Sequence, residues 1–332
     1  MITLDHGSGG KLSRELIQNR LMPKIGNPIL SQLTDSAVLN ISATRIAFTT
    51  DSHTVSPLFF PGGDIGKLSV TGTINDLAMV GATPMYLSLS LIIEEGLSED
   101  TLEEIIKSIS ATAKENEVEI VTGDTKVVER GKVDKIFINT AGIGVIPDGI
   151  DIGPHRISEK DKIILSGSLG EHSITLMALR NGLELPKGLR SDCTSVYPLV
   201  RELLPKTKDI HAMRDVTRGG LGTVLNEFLA NNTLGIEIEE SKIPIKPDVK
   251  AYCEILGFDP LYLANEGKFL LFAAPEAAEE ILNTMKRHPL GRDAAIIGEV
   301  TAKHPGIVAM KTNIGGKRIV DSLVGEQLPR IC

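Results

Sequence analysis

The sequence predicts an α/β protein of the α+β kind, built in two parts. Three observations lead there. Strand-like and helix-like apolar periods alternate through the first half. The alternation restarts after Gly153-Pro154. The 332 residues amount to about two domains at ~150 residues each, ample for a packed core.

Arg45 to Thr50 reads as a strand ending at Asp51, followed by a Pro- and Gly-rich loop from Pro57 to Gly63. Val70, Ile74, Leu77 and Ala78 recur at i, i+4, i+7 and i+8, the stripe of an amphipathic helix, which Gly81 and Pro84 end. Met85, Leu87, Leu89, Leu91 and Ile93 alternate with polar residues as in a strand. Ser98 suits the N-cap of a helix burying Leu102, Ile105, Ile106, Ile109 and Ala113. Val118 to Val121 reads as a short strand running into Gly123-Asp124, and Lys135 to Ile146 as another. In the second part, Lys162 to Leu165, Gly235 to Glu239 and Lys268 to Ala273 read as strands. Helices carry Leu176 and Leu179, then Leu221, Val224, Leu225, Phe228 and Leu229; Pro275 suits a helical first turn. Gly325 to Cys332 has no period and reads as an extended tail. The expected boundaries are residues 1–152, 153–322 and a mobile tail 323–332, with a hinge at Gly325 to Gln327.

Composition narrows the function. A net charge of −8 argues against a phosphate-backbone binder, and 4% aromatics without Trp argues against a single-strand stacking platform; no nucleic-acid partner is expected. The longest clean apolar run, Phe269 to Ala274, is far short of the ~18 residues of a membrane span, and the start lacks a signal-peptide pattern. The expected compartment is the cytoplasm. Cys193, Cys253 and Cys332 make no disulfide framework, and no zinc-type spacing occurs. The glycine-rich stretch at Gly63 to Lys67 fails as a P-loop, because Pro61 and Leu68 stand where glycine and a hydroxyl are needed. Gly142-Ile-Gly144 fails as a dinucleotide fingerprint, since position 147 is Pro.

Several acids stand where elements are expected to end: Asp51, Asp124 and Asp215, with Asp76 off the apolar stripe of its helix and Asp35 in a loop. Singly, each reads as a cap or turn acid. Gathered, they would repel one another unless a hard cation such as Mg²⁺ bridged them to a polyphosphate. His6-Gly-Ser-Gly-Gly-Lys11 suits backbone wrapping of phosphates. Lys126, two residues after Asp124, and Glu266, just before a strongly apolar strand, stand out among the charged residues, each by default a surface charge, and His172 reads as a local hydrogen-bonding residue. Cys332, the last residue, is a nucleophile on a tail that can travel, so it suits a carrier of a covalently attached group.

Seven motifs together carry a resemblance: His6-Gly-Ser-Gly-Gly-Lys11, Thr50-Asp-Ser52, Asn75-Asp-Leu-Ala78, Val121-Thr-Gly-Asp-Thr-Lys-Val127, Arg214-Asp-Val-Thr-Arg-Gly-Gly220, Asn265-Glu-Gly-Lys268 and the terminal Pro329-Arg-Ile-Cys332. Over nearly its whole length the chain resembles the HypE family of hydrogenase maturation proteins, within the aminoimidazole ribonucleotide synthetase superfamily. The resemblance implies an N-terminal domain that dimerises through its sheets into a β-barrel, a C-terminal α/β domain, and ATP near the dimer interface. It implies ATP-dependent dehydration of a carbamoyl group on Cys332 to a thiocyanate, whose cyanide serves the iron of [NiFe]-hydrogenase. A carbamoyltransferase, HypF, would load the thiol, and a HypC–HypD complex would accept the cyanide. On this resemblance Asp51, Asp76, Asp124 and Asp215 hold Mg²⁺. Gly9, Gly10 and Lys11 cover the phosphates and Lys67 pairs with one, with Asp35 and Asn75 also on the cofactor side. Lys126 or Glu266 is the base, and both remain open. Two rival readings are a small-molecule ATP-dependent phosphotransferase or ligase of the same superfamily, and a non-enzymatic ATP-gated docking module.

Overall fold

The computed structural model describes residues 10–16, 18–19, 37–41, 44–230, 233–325 and 328–332. Gly9, Asp35 and residues 326–327 of the expected hinge lie outside the described residues. A short helix α1 (Lys11–Leu16) precedes strands β1 (Ala37–Ile41), β2 (Thr44–His53), β3 (Phe59–Phe60) and β4 (Gly63–Asp64). Helix α2 (Ile65–Met79), β5 (Thr83–Glu94), α3 (Glu99–Glu115), β6 (Glu119–Val128) and β7 (Ile136–Ile146) complete the first part. Its five-stranded sheet runs β1-β2-β7-β5-β6, antiparallel except for the parallel β5–β6 edge.

The Asp64 carboxylate caps α2 by accepting from the Gly66 and Lys67 amides. Instead of the expected single apolar stripe, thirteen of the fifteen α2 residues are buried. The reason is placement: α2 packs on the first sheet and α3, and also on elements of the second part, so both faces are covered. Ser98 caps α3 as its residue type predicts, accepting from Thr101 at 3.1 Å. The face of α3 is narrower than expected, with Ile105, Ile109 and Ala113 buried and Ile106 exposed.

The second part contains β8 (Lys162–Leu165), α4 (Glu171–Arg180), α5 (Tyr197–Leu203), β9 (Ile210–Asp215), α6 (Gly220–Leu229), β10 (Gly235–Glu239) and α7 (Pro247–Leu256). It ends with β11 (Phe269–Ala273), α8 (Pro275–Arg287), β12 (Ala295–Thr301), β13 (Val308–Lys311) and β14 (Lys317–Val320). Its seven-stranded sheet runs β14-β13-β10-β12-β8-β11-β9. β11 is buried at all five positions, which is why it reads as an unbroken apolar run rather than an alternating one. One apolar cluster joins Val55, Leu68 and Ile138 of the first part to Ile164, Leu271 and Met285 of the second, and it includes Ile331 of the tail. The two parts and the seated tail therefore share a core. Among the described residues, no helix is long and apolar enough to cross a membrane.

Candidate active site

The terminal residues lie in a groove between the two parts. The backbone N–H of Thr54 donates to a terminal carboxylate oxygen of Cys332 at 2.9 Å, and its hydroxyl donates to the same atom at 3.2 Å. Arg180, at the end of α4, donates to the carbonyls of Ser56, Pro329 and Arg330 at 2.6, 2.5 and 2.5 Å. His172 Nε2 is 2.7 Å from the Ile331 carbonyl and Nδ1 is 2.7 Å from Ser191 Oγ. His172 is thus a hydrogen-bonding residue as expected, but its partners are distant in sequence rather than local. Burial lowers its pKa, so the ring is neutral, donating to Ile331 from one nitrogen and accepting from Ser191 at the other. The Arg330 guanidinium donates to the Thr54 carbonyl and to Asp134 and lies over the Phe137 ring.

This seat delivers the thiol to charged groups from four separate segments. Burial pushes the Cys332 thiol up to about 12; Arg218 opposes this shift, while Glu266, Asp51 and Asp215 add to it. Arg218 is held above its ordinary value, chiefly by the Cys332 chain end beside it, then by Asp51, Glu266 and Asp76. Its guanidinium approaches Asp51 at 4.0 Å. Asp76 on α2 accepts from the Thr49 hydroxyl at 2.8 Å. Asp51 and Asp76 thus come from facing surfaces of β2 and α2, while Asp215 ends β9. Gly72 permits the close approach, since a Cβ there would come within 2.9 Å of the His53 ring. Behind Arg218, Gly219 and Gly220 both have positive φ, and a Cβ on Gly220 would meet the Leu261 carbonyl at 2.5 Å. The two glycines let α6 begin directly after the arginine.

Glu266 is only 4% exposed, and its Oε1 is buried without a hydrogen-bond partner. Burial and the nearby Asp192, Asp215 and Asp51 raise its pKa well above the ordinary carboxylate range. The Glu266 amide donates to Asp192 at 3.1 Å, and Asp192 is paired with Lys268 at 3.0 Å. Burial alone would raise the Asp192 pKa, but Lys268 and the Glu266 amide hold it below its ordinary value. His53, buried beside Asp51 at 3.6 Å, has its pKa lowered by burial.

Not every expected site residue joins this group. β6 does not stop at Val121 but continues through Asp124 and Lys126, so neither closes a strand. Likewise β2 continues through Asp51 to His53. Asp124 and Lys126 are 60% and 69% exposed and face each other at 3.7 Å on an edge strand. Within one chain that edge is three strands from β2, about 14 Å at ~4.8 Å per strand. The expected four-aspartate set is therefore not assembled within one chain. Among the described residues, no three His, Cys, Asp or Glu side chains form a group that could hold a metal ion. Lys67 is also placed elsewhere. Nine residues before Asp76 on α2, it lies on the opposite face and about 14 Å along the axis at ~1.5 Å per residue. It lines a different cavity. Asn75 acts as a bracket between the parts, donating to the Thr194 carbonyl at 3.1 Å and accepting from the Val196 amide at 2.8 Å. Gly10 is buried and Lys11 exposed; the Lys11 amide donates to the Leu323 carbonyl at 2.7 Å, which places α1 beside the root of the tail. Sequence reasoning assigned no role to Arg218 or Arg180. Arg218 stands in the quoted Arg214 to Gly220 motif; nothing in the sequence marks Arg180, whose role depends on contacts some 150 residues away.

The family described as AIR synthase related protein matches twice, its N-terminal domain at residues 33–146 and its C-terminal domain at 158–311. Carbamoyl dehydratase HypE of Bradyrhizobium diazoefficiens is 49% identical over 332 residues, covering 100% of this chain and 96% of that protein. Carbamoyl dehydratase HypE of Escherichia coli is 46% identical, covering 100% and 99%. A solved HypE–HypF complex superposes with a TM-score of 0.87 at 43% identity, over 93% of this chain and 99% of that one. A solved HypE in complex with ATP gives a TM-score of 0.84 at 45% identity and 100% coverage of both. With relatives this similar along its entire length, the chain belongs to the HypE family of carbamoyl dehydratases.

Proposed function

We propose that the chain dehydrates an S-carbamoyl group carried on its own Cys332, using ATP, and so makes a thiocyanate whose cyanide is destined for the iron of [NiFe]-hydrogenase. One observation carries this reading: the terminal thiol is seated beside Arg218, Glu266, Asp51 and Asp215. The names of the relatives and the ATP-bound relative support it.

The reaction converts S–C(=O)–NH₂ and ATP into S–C≡N, ADP and phosphate. The carbamoyl oxygen attacks the γ-phosphorus and ADP leaves. The two N–H protons then depart as the C–O bond breaks and phosphate carries off the oxygen. The chain's part is to position these groups, balance charge and accept a proton. Thr54, Arg180 and His172 fix the tail through its backbone, so the carbamoyl group stands at one place in the chamber. Arg218 faces the developing negative charge. Glu266 is the better-placed base, because it shares the chamber with the thiol whereas Lys126 lies on the exposed edge. Its raised pKa makes the ionised carboxylate a stronger base than an ordinary glutamate.

Asp51, Asp76 and Asp215 offer the carboxylate oxygens that a hard cation takes, although among the described residues of one chain they form no closed ligand group. Burial first, and then Asp192, Asp215 and Asp51, raise Glu266, and its buried Oε1 has no hydrogen-bond partner. Asp51, Asp76 and Asp215 are the residues that would hold Mg²⁺, which neutralises and orients a triphosphate when bound. We assign Gly10 and Lys11, with Gly9, to the phosphate side. We also propose a homodimer: β6 is exposed along nearly its whole length, with Ile120, Val121 and Val127 uncovered, and a long apolar edge calls for a partner. A second copy is the route by which Asp124 and Lys126 would reach a chamber. HypF as the carbamoyl donor is supported by the solved complex of a relative. HypC–HypD as acceptor and the cytoplasm as compartment complete the proposal.

The deciding experiment is the mass of the carbamoylated C-terminal peptide before and after ATP. Loss of one water, absent in a Cys332→Ala control, is the expected result. No mass change with ATP turnover on an added small molecule favours a phosphotransferase, and no turnover at all favours a docking module.

A further inference from the structure

We propose that the cavity on the far side of the Ser191–Cys193 segment is a separate binding site for a phosphate dianion. This inference goes beyond the dehydratase reading and does not rest on it. The cavity encloses about 480 Å³ and is lined by five cationic side chains, Lys67, Arg190, Lys246, Lys268 and Arg292, against three acids. Two acids are already committed: Asp192 to Lys268 at 3.0 Å and Glu171 to Lys246 at 2.5 Å. Asp293 is the remaining acid of the lining, which also includes Lys67, Arg190 and Arg292. Lys67 donates to the carbonyl of Gly62, another lining residue, at 3.2 Å. The lining therefore carries a surplus of positive charge in a chain whose net charge is −8. Two arginine forks and a lysine suit the oxygens of a tetrahedral dianion, because guanidinium donates in pairs and ammonium acts as a point charge. The thiol chamber is the opposite case, bordered by Asp51, Asp215 and Glu266.

The wall between the two spaces is thin and hydrogen-bonded on both sides. Asp192 accepts from the Glu266 amide at 3.1 Å while holding Lys268. Ser191 Oγ lies 2.7 Å from His172, whose other nitrogen holds the Ile331 carbonyl. Gly62 lets its loop lie flat on this wall, since a Cβ there would come within 2.4 Å of the Ser191 carbonyl. A dianion competing with Asp192 for Lys268 thereby reaches both the base and the tail seat.

The test is calorimetric titration of the full, ATP-free chain with inorganic phosphate. Saturable one-site binding is expected. Reversing the two exposed arginines together, Arg190→Glu with Arg292→Glu, weakens it by at least about tenfold, because each removes a charge-assisted pair. ATP affinity of that variant stays unchanged. Competition by glycerol phosphate extends the ligand to organic phosphates; its absence restricts the site to inorganic phosphate, and either result supports the site. Unsaturable binding (an adventitious ion only), undiminished binding by the double variant, or loss of its ATP affinity overturns the proposal.

Discussion

The Thr54 amide holds a terminal carboxylate oxygen of Cys332 at 2.9 Å, so the last residue of the chain is fixed directly after the strand that carries Asp51 and His53. A hydrogen bond to a charged group such as this terminal carboxylate contributes about 1.5 kcal/mol or more. Thr54→Val keeps the amide bond and loses the 3.2 Å hydroxyl bond, and exposure of the tail should rise about tenfold. Arg180→Ala removes three donated bonds and should act more strongly. Alkylation of Cys332 by iodoacetamide reads both. Seated, the thiol has its pKa at about 12 against an ordinary 9.0, so release can raise its thiolate fraction by at most about a thousandfold. Equal alkylation rates for wild type and Arg180→Ala would refute the seat.

Glu266→Gln should lower dehydration by about 100-fold or more, as expected for loss of a general base. It should also change stability in a pH-dependent way. The folded-state pKa of Glu266 is raised, so the folded chain binds more protons than the unfolded chain above the ordinary glutamate value of 4.5. Wild-type stability therefore falls as pH rises from about 4.5 toward the folded value, and Glu266→Gln escapes that loss. Thermal melts of the ATP-free chain across pH should show the variant gaining on wild type as pH rises. Parallel curves would place the carboxyl in water, contrary to its burial.

Asp76→Asn keeps the size of the side chain and its bond to Thr49 but removes a charge beside Arg218. ATP hydrolysis by the carbamoylated chain should be largely abolished, and residual turnover should need more magnesium. Near-normal turnover at unchanged magnesium demand removes Asp76 from the metal assignment.

The exposed β6 edge gives a fourth expectation. Val121→Glu with Val127→Glu adds charge to two uncovered apolar positions and should convert a dimer into monomers in sedimentation, with the monomer fold retained by circular dichroism. A monomeric wild type at micromolar concentration would end the dimer proposal.

Local rules were sufficient for much of this. The alternation at Met85 to Ile93 and the Ser98 cap are properties of neighbouring residues, and both elements form where the sequence places them. The motifs carried the family, and Cys332 was marked by position alone. Tertiary structure decided the rest. β6 runs on through Gly123 to Lys126 because β5 offers it a parallel partner, which no local signal announces. α2 is buried all round because a second domain covers it. Lys67 and Asp76 share that helix, yet Lys67 lines a cavity while Asp76 turns to Thr49 and Arg218, and Arg180, His172 and Thr54 meet the tail across more than a hundred residues. Spacing along the chain fixes direction only within one element; which carboxylate shares a low-dielectric chamber with the thiol depends on how the elements pack.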